Sequence, residues 1–224
     1  MKKILMITVV FLSLGLFVGT QVIAANGTVA QNEKAPMMQD VTTLQQEWAR
    51  IKYQITDEDK QYEAMKVLSA RAADVSAKYP ESAEVKIWEG IIVSTEAGMG
   101  EWYSALSKVK RARVLFEEAM KIDSSALDGA AYTSLGALYY QVPGWPVGFG
   151  DDEKAEDFLK KGLEVDPDGI DSNYFYGDYL LQDKRYEEAR IYLEKSLAAK
   201  DRPQCSVADS GRRDEIAAAL AKIE

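Results

Sequence analysis

The 224-residue sequence contains no histidine and only one cysteine. Without histidine, the chain lacks the commonest general base and the commonest zinc ligand. Cys205 cannot form an internal disulfide, and no imidazole is present to activate its thiol for catalysis. The composition therefore predicts a protein that is not an enzyme. The catalytic alternative requires a pair of carboxylates, for which the candidates are Glu96, Glu101, Asp151 and Asp152.

The chain has few basic residues, 27 against 36 acidic ones, and a formal net charge of −9. No run of lysine and arginine marks a phosphate-binding surface, so nucleic acid is not expected as a partner. No cofactor signature is present. The adjacent carboxylates of Asp151 and Asp152 lack the ligand spacing of a calcium loop, and capping of a following helix explains them without a metal. We therefore predict no cofactor and no metal.

The N-terminus has the pattern of a secretory signal peptide. Lys2 and Lys3 precede an apolar run at residues 4–18, which is short for a membrane-spanning helix. Val22 and Ala24 fit a signal peptidase site, with cleavage before Ala25. This predicts a signal peptide over residues 1–24 and a periplasmic protein that has no membrane segment after cleavage. An uncleaved N-terminal anchor is the alternative.

Apolar residues after residue 40 recur at helical spacing, and almost no stretch alternates with period two. The sequence therefore predicts an all-α domain over residues 40–224. Asp40, Asp57 and Ser82 are candidate N-caps for the first three helices. Residues 25–39 are polar and contain Gly27 and Pro36, so a flexible leader is expected there.

Small residues repeat at fixed offsets. Gly90, Gly136 and Gly177 hold equivalent places in successive first helices, and Pro80 and Pro167 each precede such a glycine by ten positions. Ala112, Ala155 and Ala189 recur in the second helices. This pattern resembles the tetratricopeptide repeat, whose small residues let two helices approach closely. The resemblance implies an α-solenoid of helical hairpins, and an unrelated helical bundle is the alternative.

The resemblance divides the domain into units at about residues 57–82, 83–126, 127–169 and 170–203. Only the last unit has ordinary length. The second contains about ten extra residues, at 95–104, and the third about seven extra, which form a loop at 142–150. Residues 209–224 carry Ile216, Leu220 and Ile223 on one face, which predicts an amphipathic helix capping the last unit.

In this repeat family the first helices line a concave groove. Carried over to this sequence, the resemblance implies a mixed aromatic, amide and acidic lining for a protein or peptide partner. The positions are Glu84, Ile87, Ile91, Ser94, Thr133, Ala137, Tyr140, Gln141, Tyr174, Asp178 and Gln182. For the tyrosines, packing between helices is the alternative.

The inserted loop at residues 142–150 is the feature that repeat packing does not require. Pro143 and Pro146 restrict its backbone, and Trp145 and Phe149 supply large apolar side chains. These two aromatic residues are candidate binding residues if they project into the groove. The alternative is that they fold back onto the array as a structural plug.

The loop leads into a helix that begins at Glu153 and carries the pattern EKAxxxxxKxL as far as Leu163. Together with the export signal, this is similar to the T-component associated with tripartite, periplasmic-binding-protein-dependent transporters. The resemblance implies a periplasmic scaffold that assembles with a solute-binding protein. Two functions remain open: a non-enzymatic scaffold for a protein or peptide partner, and an accessory solute-binding component that holds a small ligand near Trp145.

Overall fold

The computed structural model describes the backbone of residues 18–100 and 102–223, and the side chains of residues 34–100 and 104–223. The chain divides into two compact units, Met1–Gln39 and Asp40–Glu224. The helices of the described residues are α1 Val18–Gln54, α2 Glu58–Lys78, α3 Ala83–Met99, α4 Trp102–Ile122, α5 Ala126–Gln141, α6 Asp152–Val165, α7 Ile170–Gln182, α8 Tyr186–Leu197 and α9 Ser206–Leu220. No strand occurs in these residues, and the all-α prediction is confirmed.

The first helix begins before its predicted start. Asp40 lies inside α1, so its prediction as an N-cap was wrong. Its carboxylate instead accepts hydrogen bonds from Lys78 and Tyr79, at 3.0 and 3.1 Å. Residues 25–39, predicted as a flexible leader, belong to α1, which passes through Pro36. A proline removes one backbone hydrogen bond and does not by itself end a long helix.

The predicted signal peptide lies outside the described residues as far as residue 17. Cleavage before Ala25 and export stay predictions. Within the described part of the chain, no helix has the length and apolar character needed to cross a membrane.

Side-chain caps fix three of the predicted helix starts. Asp57 accepts a hydrogen bond from the Lys60 backbone N–H at 3.0 Å, at the start of α2. Ser82 and Asp151 make the equivalent bonds at the starts of α3 and α6. Each cap satisfies a backbone donor that the first turn leaves free. The capping interpretation of Asp151 is therefore confirmed.

Consecutive helices from α3 onward pair as hairpins, and glycine sets their spacing. A Cβ atom built on Gly90 would lie 2.5 Å from the ring of Phe116, and one on Gly136 would lie 2.6 Å from Leu159 Cγ. Gly177 makes the same approach to Leu193, at 2.9 Å. The repeated glycines are therefore explained by close helix packing, as the sequence predicted.

The first hairpin differs from the predicted unit 57–82, which contains only α2. The partner of α2 is the second half of α1. Gln61 Nε2, near the start of α2, donates to the carbonyls of Ile51, Lys52 and Ile55 at about 3.0 Å. Asp40 meets the other end of α2, so the two helices run antiparallel.

The extra residues 95–104 belong largely to the two helices of the second hairpin. Thr95 to Met99 form the end of α3, and α4 begins at Trp102. The insertion therefore lengthens both helices of this hairpin. At the C-terminus, α9 contacts α7 and α8 and buries Ile216, which confirms the capping helix, although it begins at Ser206 rather than near residue 209.

We predict that Gly136→Ala destabilises the fold. The new methyl group would meet both the side chain and the backbone nitrogen of Leu159, at 2.6 and 3.0 Å. Overpacking costs about 1–3 kcal/mol, and the better helix propensity of alanine returns up to about 1 kcal/mol. Urea denaturation should therefore show a net loss of about 1–2 kcal/mol.

Gly98→Ala is the matched control, since a Cβ atom there would meet nothing within 4 Å. It should leave the free energy of unfolding unchanged or slightly raised. Equal stability of the two variants would contradict the close-packing role of Gly136.

Candidate functional site

The helices α1, α3, α5, α7 and α9 border one cavity with a volume of 1440 Å³. Its lining is largely aromatic and aliphatic, with a few charged groups. Representative lining residues are Trp48, Tyr53, Trp88, Ile91, Val109, Leu127, Tyr174, Phe175 and Arg212. A concave, mainly apolar pocket with a small number of polar groups is the usual form of a ligand site.

Six of the predicted groove residues line this cavity: Ile91 and Ser94 from α3, Thr133, Ala137 and Gln141 from α5, and Tyr174 from α7. They come from three successive first helices, so equivalent repeat positions meet at one cavity. Ile87 does not take part. It is fully buried in the core between the helices.

A hydrogen-bond network joins three other predicted groove residues, Tyr140, Asp178 and Gln182. Tyr140 Oη donates to Asp178 Oδ2 at 2.8 Å and accepts from Gln141 Nε2 at 3.1 Å. Gln182 Nε2 donates to the same Asp178 oxygen at 3.0 Å. Burial, followed by the Asp178 charge, raises the pKa of Tyr140 well above its ordinary value. This network joins α5 to α7, which favours the packing interpretation for Tyr140.

The loop at residues 142–150 is held in a defined conformation. The Gly150 N–H donates to the Pro143 carbonyl at 3.0 Å, and the N–H groups of Val147 and Gly148 donate to Gly144. Phe149 packs edge-on against Tyr139, with ring centroids 5.6 Å apart. The Arg113 guanidinium also lies over the Phe149 ring, with its Cζ atom 4.6 Å from the ring centroid. Phe149 is therefore the structural plug.

Trp145 neither plugs the array nor points into the cavity. Its side chain is 90% exposed, and Val147 beside it is 63% exposed. The base of the loop, including Val142 and Pro143, does line the cavity, as does Val147. The hypothesis of a small ligand held near Trp145 is therefore corrected: the cavity lies under the loop, and the indole faces away from it.

Sequence reasoning missed the charged wall of the cavity. Arg212 of α9 is buried, with its guanidinium 4.2 Å from the Tyr174 ring centroid and 4.6 Å from that of Phe175. It forms ion pairs with Asp171, at 2.8 Å, and with Glu215. Burial alone would lower the pKa of Arg212, but the negative charge of Asp171 outweighs it, and the pKa is raised. The sequence did contain one signal for Arg212: it lies four residues before Ile216 and therefore on the same face of the helix.

The cavity is closed on one side by contact between α1 and α9. The ring of Tyr53 lies against Gly211, where a Cβ atom would come within 2.2 Å of it. Lys52 Nζ pairs with Glu215 Oε1 at 2.9 Å, and Tyr53 Oη donates to Glu215 Oε2 at 3.4 Å. The resemblance implied an open groove; here the first and last helices of the array meet across it.

A comparison with protein families matches residues 170–202 to the tetratricopeptide repeat. The matched segment contains α7 and α8, with Gly177 packed on Leu193. This unit is similar to a tetratricopeptide repeat. The other hairpins share its glycine contact, and a tetratricopeptide repeat indicates a protein-interaction scaffold. A search of curated proteins finds no match to the chain.

We predict that Arg212→Met destabilises the array, because Asp171 and Glu215 lose the cation between them. Removing one partner of a fully buried ion pair costs about 3–5 kcal/mol, and partial exposure of these carboxylates reduces the expected loss to roughly 1–3 kcal/mol. Arg213→Met is the control, since its partner Asp201 is 85% exposed, and it should change stability by less than about 1 kcal/mol.

The effect of Arg212→Met should depend on pH. Burial raises the pKa of Asp171, but Arg212 and Arg202 outweigh it, so the folded-state pKa is lowered. Such a group stabilises the fold above its unfolded pKa of about 3.9, and this contribution is lost as the pH falls through the folded value. Urea denaturation should show a smaller difference from wild type at about pH 3 than at neutral pH. An equal difference at both would contradict the pairing.

Proposed function

We propose that this chain is an exported, non-enzymatic scaffold that binds a protein or peptide partner through Trp145 and the surface beside it. The observation that carries this proposal is the exposure of Trp145 at the tip of an ordered loop. Large indole side chains are usually covered in soluble proteins, and tryptophan is enriched among residues that dominate binding energy at interfaces.

The loop is built to present this side chain. Phe149 is clamped between Tyr139 and Arg113, and the loop closes on itself through backbone hydrogen bonds. A loop that is already ordered loses little conformational entropy when a partner binds. Val147, exposed beside Trp145, adds apolar surface, so a partner with a matching apolar pocket would bury both side chains together.

The proposed location is the periplasm, supported by Lys2, Lys3 and the apolar run that follows. A periplasmic solute-binding protein is our candidate partner, supported by the similarity of residues 153–163 to the T-component pattern. The acidic balance of the sequence argues against nucleic acid as a partner.

A second candidate function is supported by the cavity. Its 1440 Å³ are closed over by α1 and α9, and its lining combines aromatic rings with a few polar groups. We propose that it holds a small solute with an apolar or aromatic body, as an accessory component of a transport system. In this function the loop base contacts the solute, while Trp145 stays available to a protein.

Trp145→Ala should abolish recovery of the partner in affinity capture from a periplasmic extract of the source bacterium. Loss of an interface tryptophan costs about 2 kcal/mol or more, or roughly thirtyfold in Kd. The fold should be unaffected because the side chain is 90% exposed. Ile191→Ala, which removes another exposed apolar side chain, is the matched control and should recover the partner normally. Recovery of the same proteins by both variants would exclude Trp145 as the anchor.

Solute binding should be seen in tryptophan fluorescence, since Trp48 and Trp88 line the cavity. A solute from a panel of small apolar and aromatic compounds should change the emission of Trp145→Phe as strongly as that of wild type. The change should be weaker in Trp48→Phe. If no compound alters the emission of either protein, the solute-binding candidate is wrong, and the protein-binding proposal is unaffected.

A further inference from the structure

The wall of the cavity between α1 and α9 differs from the others, because it is formed by residues that are far apart in the sequence. We define the seam as the contact of Gln45, Lys52 and Tyr53 on α1 with Cys205, Gly211 and Glu215 at α9. Gln45 Nε2 donates to Cys205 Sγ at 2.8 Å, and these residues are 160 positions apart in sequence. In an open repeat array each unit contacts only its neighbours. Here the two ends of the array touch, and every seam residue except Gly211 lines the cavity.

The seam contacts are more polar than those of the other walls. The hairpins from α3 onward share a continuous apolar core with large buried side chains such as Phe116, Leu135 and Leu193. Among the described residues, that core includes none from α1. The seam instead depends on the Lys52–Glu215 ion pair, whose side chains are 25% and 28% exposed, and on hydrogen bonds. Partly exposed ion pairs contribute little to stability because water competes for both charges.

The seam joins the two ends of the array, so a change in the curvature of the array would act on it directly. Small rotations at each junction between neighbouring units add up along a repeat array. The relative displacement is therefore greatest between the first and last helices. A slight flattening of the array would separate Tyr53 from Gly211 while every hairpin keeps its own glycine contact.

We propose that the seam between α1 and α9 is the gate of the cavity. It opens to admit a small molecule with an apolar or aromatic body and closes over it through the Lys52–Glu215 and Tyr53–Gly211 contacts. This inference rests on the second candidate function, binding of a solute in the cavity. It adds the route of entry, which the cavity alone does not specify.

The gate can be locked with one substitution, because Cys205 is the single cysteine of the sequence. Gln45→Cys places a second thiol opposite it across the seam. A bis-methanethiosulfonate with a two-carbon spacer links the two thiols, and a reductant releases the link. The reaction is run at mildly alkaline pH because burial raises the pKa of the Cys205 thiol. Arg50→Cys, at an exposed position of the same helix, is the control that carries two thiols but cannot be bridged across the seam.

The probe is 8-anilinonaphthalene-1-sulfonate, which becomes fluorescent in apolar surroundings. Locking the seam should slow both association and dissociation of the probe at least tenfold in stopped-flow measurements. The Kd should change little, since the cavity is the same. Reductant should restore both rates, and Arg50→Cys treated with the same reagent should behave as wild type. A purely structural role of the seam would not slow entry and exit equally.

Gly211→Ala tests the effect of loosening the seam, because the new methyl group would collide with the Tyr53 ring. It should accelerate probe entry and exit, whereas Ser210→Ala, at an exposed neighbouring position of α9, should not. Unchanged rates in the locked protein would overturn the gate but leave solute binding intact. Absence of probe binding in every protein, with Trp48 emission unchanged, would instead reject the cavity as a binding site, and the gate with it.

Discussion

Contact between a glycine on one helix and a bulky side chain on the next determines the spacing of the hairpins. Gly90, Gly136 and Gly177 let their partner helices approach until a side chain fills the place of the missing Cβ atom. Because the contact recurs at each unit, the hairpins stack in register and share one apolar core. The first helices are thereby left side by side, and the cavity exists because of that arrangement.

Because the array closes, the cavity inside it and the outer surface around Trp145 are separate. In an open groove they would form one surface. The inner surface is a cavity that suits a small molecule, whereas the outer surface carries Trp145 at the tip of an ordered loop. The same loop contributes Pro143 and Val147 to the cavity wall. A solute in the cavity and a protein at Trp145 would therefore contact the same loop.

Much of the fold could be predicted because its signals are local. The caps at Asp57, Ser82 and Asp151 act within one helical turn, and the sequence identified all three. The start of α1 was misplaced because Pro36 resembles a helix breaker, and nothing nearby shows that the helix continues through it. The extra residues before α4 lengthen both helices of their hairpin.

The candidate site was predicted only where the repeat offsets define it. Ile91, Thr133 and Tyr174 line the cavity because equivalent positions of stacked hairpins face the same side. The repeat offsets alone do not show that Tyr140 turns to Asp178, since that depends on how far apart α5 and α7 lie.

The sequence by itself determined the helices, the pairing of the later hairpins and the small residues on which that pairing depends. These features follow from contacts within a turn or between neighbouring helices. Only the tertiary structure decided that the array closes, that Phe149 packs on Tyr139 while Trp145 is exposed, and that Arg212 lies against two aromatic rings. Closure depends on the summed curvature of all the units, and it brings Tyr53 to Gly211 across more than 150 residues of chain, a distance over which no local pattern carries information.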